Sequence, residues 1–429
     1  MRYEQISSEL FIHNRKRFTS QLKPNSMAIF NSNDIMPTNG DGTMGFKQNS
    51  DIFHLSGVDQ EESILVLFPD CRTEKHREIL FVKETSELIA IWEGAKLTKE
   101  QATDISGIKT VYWTSQFETI LKGLMNEAEN IYLNSNEHTR SGNEVETRDE
   151  RFAKWMVEKY PLHHYNRSTA IMHDIRAIKH EVEIQLIQQA CNITEKAFRR
   201  ILKYIKPGVW EYEIEAEIIH EFIRNKSRGF AYTPIIGSGH SACVLHYIEN
   251  NKQCKDGDVI LMDFGAEYAN YASDMTRCVP VNGRFTERQK AVYNAVLKVM
   301  KEATNMLAPG LLFEDYNKEV GKIMTKELIG LGLLTEADVK SEDPNNPAYR
   351  KYFMHGTSHF LGIDVHDVGY FNKPIQENMC FTVEPGIYIP KENLGIRLEN
   401  NIIVKSGGNN DLMKNIPLEA DEIETLMNS

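Results

Sequence analysis

Three short segments hold the residues whose types and spacing are best suited to breaking bonds. The first is Val259-Ile260-Leu261-Met262-Asp263-Phe264-Gly265, an apolar strand ending on an acid. Asp274 follows in Ser273-Asp274-Met275-Thr276, across a stretch of turn-forming and polar residues. A strand–turn–strand unit would bring both carboxylates to neighbouring strands. An acid that interrupts so apolar a run is costly unless something neutralises it. The second segment runs from His355 to Asp367 and contains His355, His359 and His366, three of the chain's 14 histidines. His355 and His359 have the i, i+4 spacing of helical zinc sites, but Gly356 replaces the glutamate of that motif. With Gly356 and Gly362 present, an irregular loop or strand fits better than a helix. In the third segment Glu384 closes Phe381-Thr382-Val383 before Pro385-Gly386, and Glu399 ends Ile396-Arg397-Leu398-Glu399. Alternation there places Arg397 and Glu399 on one face.

Each of these residues has an ordinary explanation when taken singly. A strand-end acid is usually a turn or cap residue. A lone histidine is commonly packed or at the surface, and Arg397 with Glu399 could form a simple ion pair. Their coincidence in the second part of the chain changes the reading. As a ligand set, Asp263, Asp274, His359, Glu384 and Glu399 offer four carboxylates and one imidazole. Such an oxygen-rich set suits hard or borderline divalent ions, Mn²⁺ above all, and lacks the thiolates of a structural zinc site. Four negative ligands balance two divalent cations. Two such ions roughly 3.5–4 Å apart would activate water and polarise a carbonyl, so metal-assisted hydrolysis of an amide or ester is the expected reaction class.

These residues need elements to position them. Ser63 to Pro69 and Glu78 to Val82 read as strands, and Leu88-Ile89-Ala90-Ile91-Trp92 as a further strand-length apolar run. Thr98 could cap a short helix, and Val111-Tyr112-Trp113 and Asn130 to Leu133 are later strands. The first part of the chain is therefore an α/β domain. A polar stretch from Asn134 to Glu150 reads as a surface loop. Beyond it Ile184, Ile187, Cys191, Thr194, Phe198, Ile201 and Ile205 mark one face of an amphipathic helix ended by Lys206-Pro207-Gly208. A second helix spans about Glu211 to Arg224. The boundary falls near residue 175, giving domains 1–174 and 175–429.

The 429 residues carry a net charge of −12, which opposes long-range attraction to nucleic acid or an anionic membrane. The basic run His13 to Arg17 reads as the solvated face of an N-terminal helix. Six scattered cysteines without a CxxC pair read as reduced, mostly buried thiols of a cytoplasmic protein. The first residues lack the apolar run of a signal peptide, and no apolar stretch approaches the ~18 residues of a membrane span.

The ordered series Val-Leu-His246-Tyr, Met-Asp263-Phe-Gly, Ser-Asp274-Met-Thr-Arg, His355-Gly-Thr-Ser-His359, Asp-Val-His366-Asp, Val-Glu384-Pro-Gly and Ile-Arg-Leu-Glu399 resembles the aminopeptidase P family. Those metallopeptidases remove an N-terminal residue that precedes proline. The resemblance implies an α+β pita-bread catalytic domain behind a creatinase-like α/β N-terminal domain, whose similarity includes Phe46 to Asp51 and Leu55-Ser56-Gly57. It also implies two divalent metals, peptide substrates with proline second, and a homo-oligomer, dimer or tetramer. His246 and His366 would stabilise the tetrahedral intermediate, and His355 would lie near the proline pocket. Glu384 would ligate metal and shuttle a proton, and Arg397 would orient Asp263 or Glu399. Trp92 matches a tryptophan that in the family reaches a neighbouring subunit's site. Asn400-Asn401 departs from the family, which often has acids there. Prolidase shares the ligands and is the main alternative, though only fourteen residues separate Glu384 from Glu399 and leave no room for the long insertion some prolidases carry. Methionine aminopeptidase lacks the large first domain, creatinase lacks the ligands, and a non-catalytic binding protein would be expected to have lost some of them.

Overall fold

Alternation of apolar side chains across two covered faces builds the first part of the protein. The computed structural model describes residues 2–142 and 144–429. The chain divides into two units, Gln5–Arg176 and a larger one of residues 177–429 joined by residues 1–4. The smaller unit has a six-stranded mixed sheet of β1 (Ser26–Asn31), β2 (Ile64–Leu67), β3 (Glu78–Val82), β4 (Thr110–Trp113), β5 (Asn130–Leu133) and β6 (His164–Arg167), ordered β4-β3-β2-β1-β5-β6. Ala28, Phe30, Leu65, Leu67, Leu80 and Val82 point into one apolar cluster. Met27, Ile29, Ile64, Val66, Ile79 and Phe81 point into another. Both faces are covered, so the strands read as continuous apolar runs.

Around the sheet lie α1 (Ser8–Thr19), α2 (Ser50–Ser56), α3 (Glu87–Glu93), α4 (Lys99–Ser106), α5 (Phe117–Met125), α6 (Arg148–Lys159) and α7 (Thr169–Ala177). Three readings change here. The run Leu88–Trp92 is helical rather than extended: Ser86 Oγ caps it by accepting from Ile89 N at 3.2 Å. Leu88, Ile91 and Trp92, at i, i+3 and i+4, are exposed together, Trp92 by 81%. The polar stretch 134–150 is loop only to Thr147, which caps α6 in a reciprocal pair with Glu150. The basic run on α1 is not wholly solvated, because Arg15 is fully buried.

Arg15 donates to the carbonyls of Leu55 and Ser106 at 2.9 Å each and pairs with Glu78 at 3.1 Å. It therefore satisfies carbonyls at the C-terminal ends of α2 and α4, which intrahelical bonds leave open. Arg15→Met is expected to destabilise the smaller unit by about 3 kcal/mol, since breaking a buried charged network leaves carbonyls unpaired. Urea unfolding followed by hydrogen exchange in β1–β3 checks this; native-like protection would refute it.

In the larger unit α8 (Glu181–Leu202) and α9 (Glu211–Arg224) pack side by side. The regular part of α8 stops at Leu202, and Ile205 N still bonds Ile201 O at 2.9 Å before Pro207 prevents continuation. There follow β7 (Ile235–Ser238), β8 (Val259–Asp263), β9 (Glu267–Tyr268), β10 (Tyr271–Ala272) and β11 (Thr276–Pro280). Helices α10 (Glu287–Met306), α11 (Phe313–Gly330) and α12 (Glu336–Lys340) precede β12 (Cys380–Val383), β13 (Gly386–Ile389), β14 (Leu394–Arg397), β15 (Asn400–Ile403) and β16 (Asn410–Asp411), and α13 (Ala420–Met427) follows. The sheets are β11-β8-β7, β12-β15-β16, and the pairs β9–β10 and β13–β14. The larger unit is thus α+β and the smaller one α/β, the classes expected of the second and first domains.

Candidate active site

Antiparallel register brings the first two acids together. In the β8–β11 pair Asp263 lies opposite Thr276, so Asp274, two residues earlier, sits beside the end of β8. The intervening β9–β10 hairpin folds back tightly at Gly265, where a Cβ would lie only 1.8 Å from Ser273 O. No side chain fits in that gap. The backbone of Asp274 is gripped from both sides by Asn401, whose Oδ1 accepts from Asp274 N at 3.0 Å and whose Nδ2 donates to Asp274 O at 2.6 Å.

The histidine segment forms neither helix nor strand. It is laid against β12 by the Phe360–Phe381 bridge and by Leu361 N to Cys380 O at 3.0 Å. Its far end is fixed by a buried ion pair, Lys179 Nζ to Asp367 Oδ2 at 2.7 Å. Gly362 passes so close that a Cβ there would lie 2.0 Å from the Asp367 carboxylate. His359 Nδ1 is 2.9 Å from the carbonyl of Phe360. A carbonyl only accepts, so Nδ1 carries the hydrogen and the Nε2 lone pair faces the carboxylates. Nε2 is 3.4 Å from Asp274 Oδ2 and 3.5 Å from Glu384 Oε1. The ligand atoms of Asp274, His359 and Glu399 all lie within 4.8 Å of one another. The His366 ring stands nearly perpendicular to that of His359, with centroids 4.4 Å apart.

A second layer of polar contacts aims these groups. Arg397 Nη2 donates to Asp263 Oδ2 at 2.5 Å, and its Nε donates to Thr276 Oγ1 at 3.0 Å. Thr276 Oγ1 in turn donates to Glu399 Oε2 at 2.7 Å. Arg397 thus contacts Asp263 directly and Glu399 through a hydroxyl. Tyr232 OH lies 2.5 Å from both Asp263 Oδ1 and Asp274 Oδ1, and burial together with Asp263 keeps that phenol protonated. Arg277, fully buried behind the site, donates to Glu399 O at 2.6 Å, to Asn400 Oδ1 and to Pro417 O.

A directed chain runs from Arg397 into His355. Arg397 Nη1 donates to Tyr388 OH at 3.0 Å, and Tyr388 OH lies 2.8 Å from His355 Nε2. His355 Nδ1 is 2.9 Å from Gly356 O, so Nε2 is the acceptor for the tyrosine hydrogen. Burial, reinforced by Arg397, pushes His355 down to about 4, so it is neutral at pH 7.

Four carboxylates here face one guanidinium. Burial and mutual repulsion push Glu384 up to about 7 and Glu399 well above the usual carboxyl range, while burial raises Asp263 despite Arg397. Burial also works against the charged forms of Asp274 and His359, but their contact prevails, holding the acid below and the imidazole above its usual range. Such a chamber is short of positive charge. Its converging oxygens and one presented imidazole nitrogen fit divalent cations.

Asp263, Asp274, His359, Glu384, Glu399 and Arg397 are therefore gathered in one place, with His366 against His359 and His355 3.9 Å from Glu384. His246 lies on an exposed turn after β7. Trp92 belongs to the other unit. Tyr232, Thr276 and Tyr388 escaped sequence reasoning. Thr276 had a signal, since pairing the strands of Asp263 and Asp274 puts it opposite Asp263; the two tyrosines carried none.

Comparison with known proteins accounts for this arrangement. The model of metallopeptidase family M24 matches residues 185–406, just over half of the chain. The chain belongs to this family. The model of the aminopeptidase P N-terminal domain matches residues 11–132 of this M24 peptidase. The Xaa-Pro aminopeptidase of Haemophilus influenzae is 34% identical over 436 aligned positions, covering 99% of the chain and 98% of the relative. Pseudomonas aeruginosa aminopeptidase PepP superposes with a TM-score of 0.89 at 30% identity, covering 99% and 98% of the two chains. A zinc-substituted Escherichia coli aminopeptidase P in complex with product gives 0.88 at 31%, covering 99% of each. The protein is a metallo-aminopeptidase, and its chemistry depends on divalent metal.

Proposed function

We propose that this M24 peptidase releases the N-terminal residue from peptides with proline in second place, and that Asp263, Asp274, His359, Glu384 and Glu399 hold two divalent cations, with Mn²⁺ the best-matched ion. The observation that carries the ligand assignment is the fixed His359 tautomer, which turns Nε2 toward Asp274 and Glu384. The bound cations would supply a Lewis acid for the scissile carbonyl and an activated water. Glu384 carries the proton from the attacking water to the leaving imide nitrogen. His246 and His366 donate hydrogen bonds to the oxyanion that develops on the carbonyl. His355, neutral and saturated by Tyr388 and Gly356, walls the proline pocket without donating a proton. Arg397 orients Asp263 and, through Thr276, Glu399.

The same reading places the domains at 1–174 and 175–429. The exposed face of Leu88, Ile91 and Trp92 supports a homo-oligomer, dimer or tetramer, with Trp92 at a neighbouring subunit. Scattered unpaired cysteines suit a cytoplasmic location, and the acidic balance suits peptide rather than nucleic-acid partners. Among the described residues no helix is long and apolar enough to cross a membrane.

Purified enzyme reconstituted with Mn²⁺ is expected to cleave Xaa-Pro-Xaa tripeptides and to leave Xaa-Pro dipeptides largely intact. Product analysis on both sets decides the point. Turnover confined to dipeptides would make the protein a prolidase instead.

A further inference from the structure

Glu211 has no part in the ligand set, yet it is the first residue of α9 and is fully buried. A carboxylate in that position is costly unless hydrogen bonds compensate it. Four do. Oε1 accepts from Ser238 N at 2.8 Å and Ser238 Oγ at 3.0 Å, and Oε2 accepts from Tyr247 OH at 2.7 Å and Lys252 N at 3.0 Å. One side chain thereby ties α9 to the end of β7 and to both flanks of the segment 244–252.

That segment carries His246. Its inward residues are anchored: Tyr247 is buried, and Asn250 Nδ2 donates to Glu215 Oε2 at 2.9 Å and to Pro234 O at 3.1 Å. Its outward residues are not. Val244 is 47% and Ile248 54% exposed, and His246 between them is exposed as well. No hydrogen bond from the described residues holds the His246 ring. His246 immediately precedes Tyr247, whose phenol is held by Glu211 and lies 3.2 Å from Asn251 Oδ1.

We infer that Glu211 and Tyr247 are positioning residues for His246, fixing from behind the imidazole that meets the oxyanion. The inference rests on the role given to His246 above. A histidine on an otherwise loosely held turn contributes to the transition state only if it is already in place, and displacement of a donor by about 1 Å can cost about a hundredfold.

The test is a double-mutant cycle on the metal-loaded enzyme, using Tyr247→Phe, which keeps the buried ring, and His246→Ala, each assayed on an Xaa-Pro-Xaa tripeptide. Y247F is expected to lower kcat about tenfold, with KM within about twofold of native and bound metal per chain unchanged. In the H246A background Y247F should change kcat by less than about twofold, because the group it positions is gone. Glu211→Gln should behave as Y247F does if it folds. A native kcat for Y247F overturns the inference. So does an equal loss in both backgrounds, or a loss that follows metal content. Native kcat in H246A alone would instead overturn the role of His246 and the inference with it, an outcome that the single variant distinguishes without reference to Tyr247.

Discussion

Glu384→Ala is expected to lower kcat by at least about a thousandfold while the chain folds normally. General acid–base groups contribute about 10²–10⁴-fold, and this residue is also assigned to the metals, so its loss removes two functions at once. Three of its neighbours are already engaged elsewhere. His355 has both ring nitrogens engaged, by Tyr388 and by Gly356. His359 turns one nitrogen to the Phe360 carbonyl and the other into the carboxylates. Tyr232 keeps its single phenol hydrogen, which faces Asp263 and Asp274. Single-turnover kinetics together with metal analysis separate the two functions: retention of one metal with no turnover supports the proton role, and a near-native rate refutes it.

Chelation is expected to abolish activity, and Mn²⁺ to restore it with an affinity that weakens as the pH falls. Glu384 is held at about 7, and Glu399 and Asp263 are also raised, so the metal-free site retains protons near neutrality that incoming cations must displace. Affinity should fall about tenfold per pH unit for each proton displaced, and calorimetry in buffers of different ionisation enthalpy counts those protons. The same carboxyls act differently on stability in the two forms. A carboxyl whose folded pKa is raised favours the folded state below its unfolded value and loses that contribution as pH rises through about 7. Metal-free protein should therefore become less stable between about pH 4.5 and 7, whereas in loaded protein the same carboxyls are ionised both folded and unfolded over that interval and should leave its stability nearly unchanged. Parallel melting profiles of the two forms would refute the charge-deficit account.

The residues proposed as ligands stood out in the sequence because they break local rules. Asp263 ends a run too apolar for an acid, Glu384 does the same before Pro385, and three histidines crowd among glycines. Those anomalies are local in sequence, and the structure gathers them. What stayed hidden depends on tertiary neighbours. Leu88 to Trp92 has strand-like composition, and only Ser86 as a cap and the lack of a sheet partner make it a helix. Arg15 looks like its basic neighbours on α1 until two helix ends are found to open onto it. Tyr232 and Tyr388 lie far in sequence from the acids and histidine they serve, so no spacing rule could select them.

The distribution of the site along the chain bears on when it can exist. Arg277 braces Glu399 while also binding the carbonyl of Pro417, and Lys179 finds its counter-charge 188 residues later at Asp367. As the protein leaves the ribosome, Asp263 and Asp274 emerge long before Glu384 and Glu399, and the brace behind Glu399 closes only after residue 417. On the proposed ligand assignment a nascent chain has no complete metal site, and loading follows synthesis of almost the whole larger unit. On that assignment metal supply acts on finished chains rather than on chains still being made.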